Sequence, residues 1–269
     1  MGSQVDFIQG DKFKSLGVLY APKRKLPGDY DGIVNNFNKE KIIYTHTIYA
    51  KDLFEEIKNI DSEFIVVTHN GDVNIDFPPP DNVKRWFTQN VNIIHERIES
   101  IPIGLENNRW FPDMKKKEKM LAKMQEPHRS IYELTGNLLC MNFNVATNPN
   151  KRTEPYRLLK DKTWVTVRMG CVFDKYLDDI YNHKFVLCPE GNGMDTHRTW
   201  ETLYMGSIPV EKRNLNNRFY SDLPICFVDD WNQVTEKFLE DEYVRIKALI
   251  WNHSKLEFEY YKIKIHDSA

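Results

Sequence analysis

The residues best suited to chemistry lie in one stretch, "HKFVLCPEGNGMDTHRTWETLYMGSIPVEKR", from His183 to Arg213. Arg198 and Glu201 are one helical turn apart, so a helix would present both on the same face. A guanidinium matches the oxygens of a phosphate, and a carboxylate accepts hydrogen bonds from neighbouring sugar hydroxyls such as those of a ribose. The pair indicates a phosphate–sugar site, with a surface ion pair as the alternative.

The residues before this pair predict a strand, a glycine loop and a helix. Phe185–Leu187 is an apolar strand that ends at Pro189, because proline donates no ladder hydrogen bond. Gly191–Gly193 can adopt positive φ and is expected to let the backbone approach a ligand closely. Thr196, or alternatively Asp195, is expected to cap the helix. A helix N-terminus beside such a loop favours an anion.

The position of Arg198 supports the same interpretation. In the first helical turn its charge opposes the helix dipole, which is unfavourable unless a diphosphate lies in front of it. The stretch has neither the G-x-G-x-x-G dinucleotide pattern nor the Gly-Lys-Ser/Thr end of a phosphate-binding P-loop. We therefore expect a phosphate–sugar site of another kind.

Alternating short apolar runs and amphipathic stretches predict an α/β fold. The pattern runs twice, before and after "MKKKEKMLAKMQE", which is expected to be a solvated linker helix. "VKRWFTQNV" is interpreted as a short helix leading into a strand. The predicted division is an acceptor-binding lobe (1–112), a linker (113–135), a nucleotide-sugar-binding lobe (136–235) and a helical tail packed back on the first lobe (236–269).

Composition narrows the possible partners. The chain of 269 residues carries 39 acidic and 37 basic side chains, a net charge of −2, so no overall field attracts nucleic acid. No run of about 18 apolar residues is present, and no signal segment precedes the fold, so no membrane anchor is expected. Four dispersed cysteines predict neither a zinc site nor disulfides. We expect a cytoplasmic monomer.

The stretch "KFVLCPEGNGMDTHRTWETLYMGSIPV" resembles the C-terminal signature of exostosin-like glycosyltransferases, F-x-L-x-P-x-G followed by R-x-W, E-x-L-x-x-G and I-P-V. "WFTQNV", "IPIGLEN" and "NFNVATNPNKR" resemble weaker companions, so the likeness extends from Ile42 to Val228. It implies the GT-B fold, two Rossmann-like βα lobes with a cleft between them. A chain without an anchor is also similar to the small transferases with which large algal viruses build capsid glycans, xylosyltransferases among them, which implies the host cytoplasm.

The resemblance implies a nucleotide-sugar donor, with a UDP-sugar such as UDP-xylose as the first candidate, and no cofactor. Glu201 would hold the ribose, Arg198 the diphosphate, and the glycine loop the phosphate and sugar, with Glu190 near the sugar. Arg152 would be a second phosphate contact or a helix-surface cation. The donor-binding residues expected are Arg152, Glu190, Gly191, Asn192, Gly193, Asp195, Thr196, His197, Arg198 and Glu201.

The reaction expected is metal-independent transfer to a glycan hydroxyl with inversion, which requires a general base from the first lobe. Asp72, on the Asn-Gly turn after "FIVVTH", is the first candidate, with an ordinary turn residue as the alternative. His69 and His46 are the other candidate bases. Glu106 and Trp110 are candidate acceptor contacts. A retaining transferase and a non-catalytic nucleotide-sugar or glycan-binding module remain open.

Overall fold

The computed structural model describes residues 6–21, 41–108, 114–125, 131, 134, 136–170 and 173–269. Trp110 lies outside these residues. The described chain forms two parallel sheets of five strands each, one in each half of the sequence.

The first sheet has the strand order β1-β2-β3-β4-β5, and every neighbouring pair is parallel. Its strands are β1 (Val18–Leu19), β2 (Ile42–His46), β3 (Phe64–His69), β4 (Val83–Thr88) and β5 (Ile98–Ser100). Its helices are α1 (Gly10–Phe13) and α2 (Ala50–Ile57). Helix α2 buries Leu53, Phe54 and Ile57, the residues that the 3.6-residue spacing places on one face.

The second sheet has the order β10-β9-β8-β6-β7, also parallel throughout. Its strands are β6 (Asn137–Met141), β7 (Val165–Val167), β8 (His183–Leu187), β9 (Ile208–Lys212) and β10 (Cys226–Val228). The remaining helices are α3 (Met114–Gln125), α4 (Pro149–Leu159), α5 (Phe173–Tyr181), α6 (His197–Tyr204), α7 (Glu236–Lys247) and α8 (Phe258–Asp267). Two Rossmann-like lobes of the GT-B type result, which confirms the predicted fold class.

The central strands β3 and β8 contain continuous buried apolar runs because helices cover both faces of a parallel sheet. Every residue of β3 is buried, and Phe185, Val186 and Leu187 of β8 have no exposed surface. Ligand sites of open α/β sheets lie beyond the carboxyl ends of such strands. The glycine loop follows β8 at that edge.

Two expectations for local structure are wrong. "VKRWFTQNV" begins as strand β4, not as a helix, because Val83 and Trp86 are buried in the sheet and Ile65–Thr68 supplies a parallel hydrogen-bonding partner. The basic helix α3 is not simply solvated, since its Met120 and Met124 side chains are fully buried in the core.

The final helix, α8, contacts the first half of the chain. The Phe258 ring lies 5.1 Å from the Phe13 ring in an edge-to-face contact, and the Phe258 N–H donates to the Asp6 carbonyl over 2.9 Å. The Lys264 ammonium pairs with the Glu99 carboxylate beside β5. The boundaries given above for lobes, linker and tail stay a prediction. No helix in the described ranges is long and apolar enough to cross a membrane.

Candidate functional site

Two adjoining cavities lie between the lobes. The first, called here the N-lobe cavity, has a volume of about 420 Å³ and is lined by His46, Asn70, Gly71, Asp72, Ile103, Glu106, Asn107 and His197. The second, called the glycine-loop cavity, has a volume of about 380 Å³ and is lined by Asp72, Ile103, Glu106, Thr147, Arg152, Tyr176, Gly191, Asn192, Gly193, Asp195, Thr196, His197, Arg198 and Glu201. Four residues line both cavities, so the two form one cleft.

The glycine loop is built for close approach rather than for positive φ. The Gly191 N–H donates to the Gly193 carbonyl over 3.0 Å, and neither glycine adopts the positive φ that its lack of a side chain allows. A Cβ on Gly193 would stand 2.8 Å from the amide atoms of Asn90 in the first lobe. A Cβ on Gly191 would stand 3.2 Å from Nη2 of Arg152. A side chain at Gly193 would therefore displace the Asn90 amide, and one at Gly191 would crowd the Arg152 guanidinium.

Two guanidinium groups face the glycine-loop cavity. Arg152 is buried in α4, where its Nε and Nη1 donate to the Glu190 and Asn144 carbonyls over 2.9 Å each, so it is not a helix-surface cation. Arg198 donates to both oxygens of Asn142 and stacks on an aromatic ring. Burial, together with the charge of Arg198, lowers the pKa of Arg152. Two cations held mainly by neutral acceptors favour an anion between them.

Glu201 lies one turn beyond Arg198 and lines the same cavity. It is buried, so the alternative of a surface ion pair is wrong. The Tyr176 hydroxyl donates to its carboxylate. The Tyr176 ring also lies under the Arg198 guanidinium, 5.1 Å from its centre. Tyr176 thus orients both charged groups, and burial raises its own pKa well above the usual value.

Two predicted donor-binding carboxylates are already occupied by protein groups. Glu190 pairs with Lys151 over 2.8 Å, accepts from Asn214 over 3.0 Å, and lines neither cavity. Asp195 accepts from the Trp200 indole N–H over 2.8 Å and from the Ile103 backbone N–H over 2.7 Å. Burial raises the pKa of Asp195 to about 6. Asp195 therefore joins the lobes instead of offering its oxygens to a ligand.

Thr196 is the residue before helix α6, as expected for an N-cap, but its side chain makes no capping hydrogen bond. Its hydroxyl lies 3.4 Å from that of Thr199. Asn192, at the tip of the glycine loop, is exposed and lines the cavity. The helix N-terminus thus faces the cavity without a side-chain cap, which suits an anionic ligand.

His197 stands where the two cavities meet. Its Nδ1 lies 2.7 Å from the Gly104 carbonyl, and its Nε2 lies 3.4 Å from the Glu106 carboxylate. Since a carbonyl only accepts, Nδ1 carries a hydrogen. The candidate acceptor contact Glu106 and the candidate donor contact His197 therefore form a pair across the lobes.

The three candidate bases occupy different environments. Asp72 is exposed and lines both cavities. His46 lines the N-lobe cavity, and its Nδ1 accepts from the Ile48 N–H over 3.5 Å. His69 is buried, with Nε2 2.9 Å from the Pro102 carbonyl, and burial lowers its pKa to about 4. His69 reaches neither cavity, so its candidacy as a base is wrong.

Several residues at the site were missed by sequence reasoning. Asn90 and Asn142 lie within the companion stretches "WFTQNV" and "NFNVATNPNKR", and Tyr176 lies in a predicted helix, but the sequence assigned none of the three a role in the site. Among the described residues, no group of three or more His, Cys, Asp or Glu side chains could hold a metal ion. Metal independence stays a prediction.

Comparisons with known proteins bear on the fold alone. No family model and no curated protein matches the chain. A crystal structure of alpha1,3-fucosyltransferase is similar over 88% of this chain and 80% of its own, with 11% identity and a TM-score of 0.48. A GtfA/B complex matches over 84% and 53%, with 14% identity and a TM-score of 0.33. The GtfA/B complex bound to UDP and GlcNAc matches over 84% and 56%, with 6% identity and a TM-score of 0.32. Similarity at this level assigns no activity to the chain.

Proposed function

We propose that the protein is a glycosyltransferase that moves a sugar from a nucleotide-diphosphate donor to a glycan hydroxyl with inversion. The observation that carries the proposal is the pair Arg152 and Arg198 at one cavity, beside the N-terminus of α6 and one turn from Glu201. The resemblance of Lys184–Val210 to the exostosin-like signature supports the same activity.

The donor would bind in the glycine-loop cavity. Its diphosphate would lie between the two guanidinium groups, where donors fixed in advance stabilise the charge that develops on the leaving group. The ribose would lie against Glu201, whose carboxylate is oriented by the Tyr176 hydroxyl. The Gly191–Gly193 backbone, which lines this cavity, would contact the phosphates and the sugar. A UDP-sugar is the first candidate, with UDP-xylose among those to be tested.

The acceptor would enter through the N-lobe cavity. Asp72, on the wall of both cavities, would accept the proton of the acceptor hydroxyl as its oxygen bonds to the anomeric carbon. The bond from that carbon to the diphosphate breaks in the same step, and its electron pair leaves with the nucleoside diphosphate. Attack from the face opposite the leaving group inverts the configuration.

The decisive test has two stages. Thermal unfolding with UDP-, GDP- and dTDP-sugars identifies the donor, because a ligand bound only by the folded state raises the unfolding temperature. Proton NMR of the product formed from that donor then reports the anomeric configuration. Inversion supports the proposal, retention assigns the other stereochemical class, and binding without turnover indicates a non-catalytic module. Absence of any nucleotide effect contradicts the donor site itself.

A further inference from the structure

Asn90 follows β4 and lies between the lobes. It has φ +53, in the left-handed region that asparagine tolerates better than most residues. The residue is 1% exposed. A buried amide requires hydrogen-bond partners for both its carbonyl and its NH₂ group.

The two ends of the Asn90 amide bind different lobes. Its Oδ1 accepts from the Asp195 backbone N–H in the second lobe over 3.0 Å. Its Nδ2 donates to the Gly71 carbonyl in the first lobe over 3.0 Å. Gly193 packs directly on the amide, where a Cβ would come within 2.8 Å. The amide thus connects the glycine loop to the residue that immediately precedes Asp72.

The backbone of the same segment holds the other side of the Asp72 loop. The Asn90 carbonyl accepts from the Ile75 N–H over 2.9 Å, and the Asn92 N–H donates to the Ile75 carbonyl over 2.8 Å. Asp72 therefore lies between two points, Gly71 and Ile75, that are both tied to one short segment. The Asn90 side chain extends this connection to the glycine loop, and the Val91 N–H makes a separate contact with the second lobe, donating to Asn216 Oδ1 over 2.9 Å.

We propose that Asn90 is a positioning residue that holds Asp72 at a fixed distance from the donor in the glycine loop. The inference rests on the proposed function, in which Asp72 is the base. A displacement of about 1 Å at a reacting group can lower the rate about 100-fold. An amide is required because one end must accept and the other must donate.

The test is Asn90→Asp, which preserves size and the acceptor toward Asp195 but places an oxygen against the Gly71 carbonyl. We expect kcat to fall about 10- to 100-fold, with UDP affinity measured by calorimetry unchanged within about twofold. Asn92→Asp is the matched control, because Asn92 is exposed and lines neither cavity. Asn90→Gly, which accepts positive φ and removes both side-chain bonds, should lower kcat similarly.

The same substitution is then made in the Asp72→Asn background. If Asn90 acts through Asp72, Asn90→Asp should lower residual transfer no further. An equal loss in both backgrounds, or a parallel loss of kcat and UDP affinity, would indicate a merely structural role. If Asn90→Asp turns over at the wild-type rate while Asp72→Asn is impaired, the positioning role of Asn90 is overturned and the assignment of Asp72 as the base is not. Normal turnover by Asp72→Asn overturns the proposed base and this role together.

Discussion

The Asp195 carboxylate accepts a hydrogen bond from the Ile103 backbone N–H across the two lobes, with a distance of 2.7 Å. Ile103 lines both cavities, and Asp195 ends the glycine loop. His197 makes a second such contact, with the Gly104 carbonyl. The loop expected to hold the donor is therefore fixed to the segment that lines the proposed acceptor cavity.

The first prediction concerns the base. Replacing Asp72 with Asn removes the proton acceptor while preserving the shape of the side chain. We expect kcat to fall about 100- to 10,000-fold, and UDP affinity by calorimetry to stay within about twofold. Asp76→Asn is the control, an exposed aspartate on the same loop that lines neither cavity. A wild-type rate in Asp72→Asn would transfer the role of base to another residue, with His46 next.

The second prediction concerns the anion site. Arg152→Ala and Arg198→Ala each remove a charged donor, a contribution of about 1.5–3 kcal/mol. Each should raise the Kd for UDP about 10- to 100-fold in calorimetry. Arg157→Ala, an exposed arginine on the same helix as Arg152, serves as the control and should leave the Kd unchanged. Equal increases of the Kd in all three variants would indicate a general electrostatic attraction rather than a specific anion-binding site.

The third prediction concerns the ribose. If Glu201 accepts from its hydroxyls, the wild type should bind UDP more tightly than 2′-deoxy-UDP, and Glu201→Ala should lose that preference. Tyr176→Phe removes the hydroxyl that donates to Glu201 and should reduce the preference in part. Calorimetry with both nucleotides measures the ratio of affinities. A preference that persists in Glu201→Ala contradicts the ribose role.

The fourth prediction concerns pH and stability. Burial lowers the pKa of His69 from 6.5 to about 4, so the unfolded state binds more protons than the folded state between these values. The stability due to neutral His69 is therefore present above pH 6.5 and is lost as the pH falls toward 4, a change of about 3 kcal/mol. Urea unfolding between pH 4 and 7 should show a shallower pH dependence for His69→Gln. An identical pH dependence of the unfolding free energy in the wild type and His69→Gln would contradict the lowered pKa of His69.

Sequence patterns predicted the fold well where one local rule applies. The apolar run of β8, the proline after it and the spacing of α2 are each consequences of burial and backbone geometry within a few residues. Gly206, with φ +71, follows the C-cap residue of α6, a position where glycine commonly ends a helix. β4 was mispredicted because its strand state depends on pairing with β3, a partner about 20 residues away in sequence.

Sequence patterns likewise predicted the functional site only where its residues lie close together along the chain. Arg198, Glu201 and the glycine loop lie within one short stretch, and their order alone indicated a phosphate–sugar site. By itself the sequence determined the two-lobe α/β class and the residues that face the glycine-loop cavity from α6. Only the tertiary structure decided that His69 is buried, that Asp195 joins the lobes and that Asn90 reaches Gly71. Those outcomes depend on which groups meet across the cleft, and residues about 100 positions apart carry no local signal of their contact.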